Sequence, residues 1–359
     1  MYVKKHNFWL RLLFVIAVFG SAGQASTGYL YPGFAEVHEE ITLPEGSWTW
    51  FLGKDLAPLL VDGTVRLLGV EETRRVWRGD AVTFHYLGAG QAQLAYLTRG
   101  VGYTLHYDLD VDRGALVGWA KVSNRLSRSL RFAHVTFVAG EVPLQGGAIP
   151  DATKARAFDG LAVAADAMPA AAPVYAGAGG GVFRYELEDP PPFESGVTEI
   201  PFVRAPVEAT FTWRYRGGFV RADRVAFQRG YVFEAPAALA GGLVNVRDGG
   251  VLLGQVFMED AAVGKPVRLW LGADPEGEAT RRITVLKDER KEKAYRVSTT
   301  VQNPRDVPVR VEMEEYFNAR EVELKLPAGA ERTPQGYRWV VTLRPGEVRT
   351  FAYTVTLRY

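Results

Sequence analysis

The chain has 359 residues, 47% of them hydrophobic, which is enough for two or three domains with ordinary apolar cores. It has no cysteine, which excludes disulfides, thiol chemistry and a cysteine-acylated lipid anchor. Its formal charge is +1, and so even a balance leaves no electrostatic footprint for nucleic acid or an anionic membrane surface.

At the amino terminus Lys4, Lys5 and Arg11 precede an apolar run at residues 12–19, and Gly20-Ser21-Ala22-Gly23-Gln24-Ala25 supplies the small residues of a cleavage site. Residues 1–25 are therefore expected to be a signal peptide cut after Ala25, which implies an exported protein of the periplasm, cell envelope or extracellular space. An uncleaved anchor is the competing reading, but a span needs ~20 apolar residues and this run is shorter. Losing the three cations takes the remainder of the chain to −2.

Residues 26–92 read as an N-terminal β region. Tyr31-Pro32-Gly33 forms a turn, residues 35–43 alternate, and Pro44-Glu45-Gly46 leads into Trp48-Thr49-Trp50-Phe51-Leu52, a pattern that predicts a hairpin. Asp62-Gly63 turns the chain between apolar runs at 59–61 and 65–68. Arg78-Gly79-Asp80 has the composition of an adhesion motif, yet it lies between Val76-Trp77 and Val82-Thr83-Phe84, where strand-to-strand turn chemistry accounts for it.

Residues 93–242 form the next unit. Tyr103, Leu105, Tyr107 and Leu109 alternate with Thr104, His106, Asp108 and Asp110, a period of two that puts one row on a core face and one row outside. Asp112-Arg113-Gly114 turns the chain, residues 116–122 run back through Trp119, and a third strand is expected at 130–138. From 146 to 181 the pattern gives way to a long Ala/Gly/Pro-rich loop, with 151–168 its one candidate helix. Strands resume at 182–187 and stop at Pro190-Pro191-Pro192. Further strands are predicted at 207–215, 220–227 and 231–233, with Arg216-Gly217-Gly218 and Arg229-Gly230 as turns.

Residues 243–359 are expected to form a C-terminal immunoglobulin-like β-sandwich. A hairpin turning at Arg247-Asp248-Gly249-Gly250 opens it. Seven short strands follow at 267–271, 281–286, 295–301, 307–313, 322–326, 337–343 and 348–357. Trp339 shares its phase with Tyr337, Val341 and Leu343, which points the indole inward. The mixed charges at 287–293 read as a solvated hairpin tip. The fold class predicted for the whole chain is all-β, with two or more sandwich-like domains.

The phrases LAYLTRGVGYTLHYDLDVD, GWAKVSN and FVAGEVPL resemble the start of a domain of unknown function found in mucoidy-inhibitor-A-type secreted proteins. FRYELEDPPPFESGVTEIPFV, VNVRDGGVLLGQ, VRLWLGADPEG, YRVSTTVQNPRDVPVRVEMEE and YRWVVTLRPGEVRTFAYTVTLRY follow in that family's order, so the resemblance covers about residues 93–359. It implies a β-rich envelope protein without an assigned reaction. Longer members carry a coiled coil before this domain, whereas residues 26–92 here show no heptads.

The sequence holds no nucleophile elbow, zinc-protease motif, phosphate-binding loop or dinucleotide fingerprint, so no catalytic, cofactor or metal residue is assigned. After residue 25 the histidines are His38, His85, His106 and His134, each in a predicted strand and far from the others in sequence. Asp108, Asp110 and Asp112 are the best metal candidate, because alternate carboxylates share a side of a strand. Arg113 stands where a calcium loop needs glycine, however, and Trp119 where it needs the bidentate glutamate. Glu312, Glu314 and Glu315 beside Tyr316 have the composition of a glycosidase pair, but Glu312 and Glu314 alternate with Val311 and Met313 as an outer face would. Trp48, Trp50, Trp77, Trp119, Trp213 and Trp339 are read as core in preference to a carbohydrate platform. The expected function is an exported envelope binding or structural module whose partner is an envelope protein or a glycan. The alternative is a glycan-active hydrolase whose site forms only in three dimensions.

Overall fold

The structure, a computed structural model, describes residues 26–140, 142–144, 174–179 and 181–359. The expected signal peptide and the candidate helix at 151–168 lie outside the described residues. In the first half run β1 (Ser26–Tyr31), β2 (Phe34–Leu43), β3 (Ser47–Phe51), β4 (Arg66–Leu68), β5 (Glu71–Arg78), β6 (Ala81–Leu87), β7 (Gly90–Thr98), β8 (Val101–Asp110), β9 (Ala115–Asn124), β10 (His134–Ala139), β11 (Val174–Gly179), β12 (Val182–Glu188) and β13 (Gly196–Pro206). The second half adds β14 (Thr210–Gly218), β15 (Arg224–Glu234), β16 (Gly242–Asp248), β17 (Val251–Met258), β18 (Pro266–Asp288), β19 (Glu292–Gln302), β20 (Val309–Tyr316), β21 (Glu321–Lys325), β22 (Ala330–Thr333), β23 (Gly336–Leu343) and β24 (Val348–Arg358). The protein is all-β, and no helix among the described residues is long and apolar enough to cross a membrane.

Four sheets result. Their strand orders are β11-β12-β10-β1-β2-β7-β4, β3-β6-β5, β13-β9-β8-β16-β17 and β21-β24-β19-β18-β15-β14-β20-β23-β22. The first three, together with one end of β15 and of β18, enclose one core, and the rest of the nine-stranded sheet encloses a second. In that second core Tyr337 and Trp339 of β23 pack on Phe351 of β24 with centroids 5.0 and 4.9 Å apart, although the two strands lie far apart in the sheet order. The sheet is therefore curled over on itself, with sandwich-like packing across its interior. Its two edge strands, β21 and β22, follow one another in sequence, and the Arg332 guanidinium donates to the Val322 carbonyl at 2.6 Å where they meet. Trp339 is buried, as its phase predicted.

The β8–β9 hairpin forms as expected, with Tyr103, Leu105, Tyr107 and Leu109 all inward. Opposite Tyr107 stands Gly118, where a Cβ would lie 2.6 Å from the phenol ring, so the glycine makes room for the tyrosine. Several other expectations need correction. The third strand, β10, leaves this hairpin and pairs in parallel with β1 and antiparallel with β12. β2 and β3 form no hairpin. Both edges of β2 are taken by β1 and β7, so the chain passes into another sheet, where β3 pairs with β6. Residues 57–59 make a 3-10 turn that begins at Ala57 and takes in the first residue of the apolar run at 59–61. Within the expected loop at 146–181, residues 174–179 form strand β11.

Arg229-Gly230 is not a turn, because β15 runs straight through it with bulges on either side of Gln228 and Arg229. A Cβ at Gly230 would sit 2.4 Å from the Leu269 carbonyl oxygen, so this glycine permits close strand approach. Arg216-Gly217-Gly218 likewise belongs to β14, in parallel pairing with β20. β18 is one strand of 23 residues where two were expected.

The largest difference concerns the boundary at 242/243. β16 lies parallel to β8 and sends Val244 and Val246 into the first core, so the 243–258 hairpin does not belong to the C-terminal sheet. In exchange, β14 and β15 sit at the centre of the nine-stranded sheet and bring Trp213, Val225 and Phe227 to the second core. β15 and β18 are shared lengthwise, with Tyr231, Phe233, Val267 and Leu269 in the first core and Val225, Phe227 and Ala279 in the second.

Candidate functional site

The pleat that sends Tyr103 and Tyr107 inward sends His106 and Asp108 outward. On β9 the same rule buries Leu116, Ala120 and Val122 and leaves Val117, Trp119 and Lys121 on the outer face. Register then assembles the face of the five-stranded sheet. Trp119 lies opposite Pro201 of β13 on one side and His106 of β8 on the other. His106 lies opposite Leu243 of β16, and Leu243 opposite Phe257 of β17. The row Pro201–Trp119–His106–Leu243–Phe257 thus crosses all five strands, a span of about 19 Å at the usual strand spacing. The Phe257 ring is 44% exposed.

Two residues along each strand, about 7 Å away, runs a polar row. The Asn245 amide donates to Asp108 Oδ1 at 3.1 Å, and the Gln255 amide donates to Asn245 Oδ1 at 2.8 Å. Arg247 Nε lies 3.9 Å from Asp108 Oδ1 and partly balances its charge. This chain of bonds leaves Asp108 Oδ2, Gln255 Oε1 and one hydrogen on each amide to meet a solute. On the opposite flank Glu199, Lys121 and Thr104 stand side by side. The face offers ring surfaces for stacking and fixed donors and acceptors beside them.

Of the tryptophans read as core, Trp50, Trp213 and Trp339 are buried, and Trp48 packs on the first core against Phe84. Trp119 and Trp77 are the exceptions. Trp119 is partly exposed on the outer face, and Trp77, 46% exposed, lies in β5 of the three-stranded sheet. Trp119 was legible as an outer residue, because it is out of phase with Leu116, Ala120 and Val122.

The aspartates at 108 and 110 do share the outer side of β8, but each is otherwise engaged. Asp108 belongs to the amide row, while Asp110 accepts the Arg113 backbone N–H at 3.1 Å and lies 3.6 Å from the Arg113 side chain. Asp112 lies beyond the end of β8, in the turn. Among the described residues no group of three His, Asp or Glu is placed to hold a metal ion. The histidines are dispersed. His38 bonds Glu36 at 2.9 Å, His85 lies 3.0 Å from Arg74, His134 is exposed on β10, and His106 alone belongs to the aromatic row.

Glu312 and Glu314 leave β20 on the side away from the second core, but Glu312 is buried there beneath Arg310 at 2.8 Å and Arg338 at 3.5 Å, while Glu314 lies 3.4 Å from Arg216. Glu315 leaves on the other side. It shares the inward phase of Val309, Val311 and Met313, and its side chain is fully enclosed. There it accepts from Arg281 at 2.8 Å, from the Tyr353 hydroxyl at 2.6 Å and from the Tyr337 hydroxyl at 3.1 Å. Arg281 is equally enclosed. Burial opposes the Arg281 charge, but the Glu315 carboxylate and the phenols around it more than offset this and hold its pKa above the ordinary value. Burial pushes both phenols far up, and the adjacent carboxylate adds to the shift. Sequence reasoning passed over this cluster, although the two-residue period of β20 carried the signal for Glu315.

An open depression of about 400 Å³, lined by Glu40, Leu68, Gly69, Gln91, Ala92 and Gln93, lies on the surface at β2, β4 and β7. It lacks a convergent set of ionisable groups. No family model matches this chain, and no curated protein matches it.

Proposed function

We propose that the protein is an exported cell-envelope binding module that presents the outer face of its five-stranded sheet to a ligand and performs no chemistry on it. The observation that carries this reading is the row from Pro201 to Phe257. It leaves an indole, an imidazole and a phenyl ring on the solvent side of a sheet whose other side is packed into the first core. Aromatic groups left partly wet beside fixed polar groups are what a recognition surface requires.

Export is supported by the basic, apolar and small-residue succession in residues 1–25. The phrases shared with mucoidy-inhibitor-A-type secreted proteins support placing the chain beside that family. The hydrolase reading gains nothing from Arg281, Glu315, Tyr337 and Tyr353, because a substrate cannot reach a cluster sealed inside a sheet.

Two measurements test the reading. Fractionation with amino-terminal sequencing is expected to find an envelope protein beginning at about Ser26, and intact chain in the cytoplasm would sink the export claim. A photo-crosslinking residue in place of Val117 is expected to form an adduct in native envelope. The same residue at Thr83, on the three-stranded sheet, is expected to form none.

A further inference from the structure

Resting on that reading, we infer that the face binds an uncharged glycan, with one sugar ring stacked on Trp119 and hydroxyls of the neighbouring sugar units held by Asp108, Asn245 and Gln255. Three observations converge on this ligand. The first is the ring surface. In the Pro201–Trp119–His106 portion of the row an indole stands between a pyrrolidine and an imidazole on neighbouring strands, and the indole offers a flat apolar surface of the kind the C–H face of a pyranose covers.

The second is the polar row. Asn245 and Gln255 are tied into one line by bonds of 3.1 and 2.8 Å, so their remaining donors and acceptors, with Asp108 Oδ2, are held in place before a ligand arrives. Vicinal hydroxyls both donate and accept, and a line of amides and a carboxylate offers both in alternation.

The third is charge. Asp108, Asp110 and Glu199 on this face are matched by Lys121, Arg204 and Arg247. A balanced face gives no attraction for a polyanion or an anionic lipid surface. Nor is an extended peptide favoured. Strand addition takes place at an edge, through backbone groups, and Trp119 and His106 lie on the interior strands β9 and β8.

The test uses the full-length protein, a chito-oligosaccharide and a cello-oligosaccharide as neutral probes, and titration calorimetry. Saturable binding of at least one probe is expected, weakened about tenfold by Trp119→Ala. Gln255→Ala is expected to weaken it by a smaller factor, while Trp77→Ala, on another sheet, leaves it unchanged. Trp119→Phe keeps a ring and is expected to retain part of the affinity, which separates loss of stacking from loss of fold. Denaturation midpoints of all four variants check that they are folded.

Absence of binding to both probes, or equal affinity in Trp119→Ala and the parent, overturns the glycan assignment. A photo-crosslinker at Val117 distinguishes that failure from failure of the binding reading. Protein adducts without glycan binding overturn the glycan and leave a binding face. Absence of both adducts and glycan binding overturns both.

Discussion

The two cores solve the same packing problem with different polar interiors. In the first, Tyr96 donates to the partly exposed Glu39 carboxylate at 2.8 Å, and four other buried phenols donate to backbone carbonyls: Tyr86 to Pro44 at 2.8 Å, Tyr103 to Val138 at 3.0 Å, Tyr107 to Ala240 at 2.7 Å and Tyr185 to Ala238 at 3.2 Å. Each of these four is a neutral bond that pins one strand residue to one loop or strand end. In the second, two phenols converge on a carboxylate that is itself paired with a guanidinium. A neutral bond can be lost locally, whereas a buried ion pair cannot lose one partner without stranding the other. The larger core is thus built to tolerate single faults, and the smaller one is bound to its charged centre.

The sharpest way to break that comparison is to separate the cores. A 243–359 fragment lacks β14 and β15, which leaves open edges on β18 and β20 in the middle of the nine-stranded sheet. It is expected to show no cooperative unfolding transition, and a sigmoidal denaturation curve from that fragment would show that the second core stands without them. Next in size is Glu315→Leu, expected to destabilise the full-length protein by about 3–5 kcal/mol because it strands Arg281. Adding Arg281→Met is expected to recover part of this loss. If the double variant is no more stable than the single one, the second core is not organised around charge pairing.

Tyr107→Phe probes the first core. It leaves the Ala240 carbonyl without its partner and is expected to cost about 1–3 kcal/mol, measured by chemical denaturation. A smaller effect distinguishes the phenols by pH. Burial raises Tyr107, so the folded state keeps its proton where the unfolded chain loses it; this stability is fully present below the unfolded value of about 10 and falls as pH rises above it. Between pH 10 and 11.5 the stability of Tyr107→Phe is expected to fall less steeply than that of the parent, by a difference that rises toward about 1.4 kcal/mol per pH unit at the upper end. Parallel slopes would show that the phenol ionises as freely in the fold as out of it.

Local rhythm made the β8–β9 hairpin and the inward Trp339 legible, since alternation and a turn suffice for both. The same rhythm carried Glu315 inward with Val311 and Met313, but only Glu312 and Glu314 were placed on a face from it. β18 escaped for a different reason: Asp274-Pro275-Glu276-Gly277 has turn composition. In the fold Asp274 Oδ1 accepts the backbone N–H groups of Glu276 and Gly277 at 2.9 and 3.0 Å, and the strand continues beyond them. The outward side of Trp119 could be read from phase alone. The row it joins could not, because Leu243 and Phe257 reach it only through the parallel pairing of β16 with β8.

That pairing also bears on the timing of folding. Asp108 and Asn245 are 137 residues apart in the chain, so the exposed edge of β8 stays open until about two thirds of the polypeptide has been made. Pairing this remote is slow, because the loop must close before any contact rewards it, and an unpaired inner strand meanwhile invites association with other chains. The aromatic row runs straight across this last seam. Affinity for a ligand on that face therefore arises late and as a single event, and retention on such a ligand would separate finished molecules from those still missing two strands.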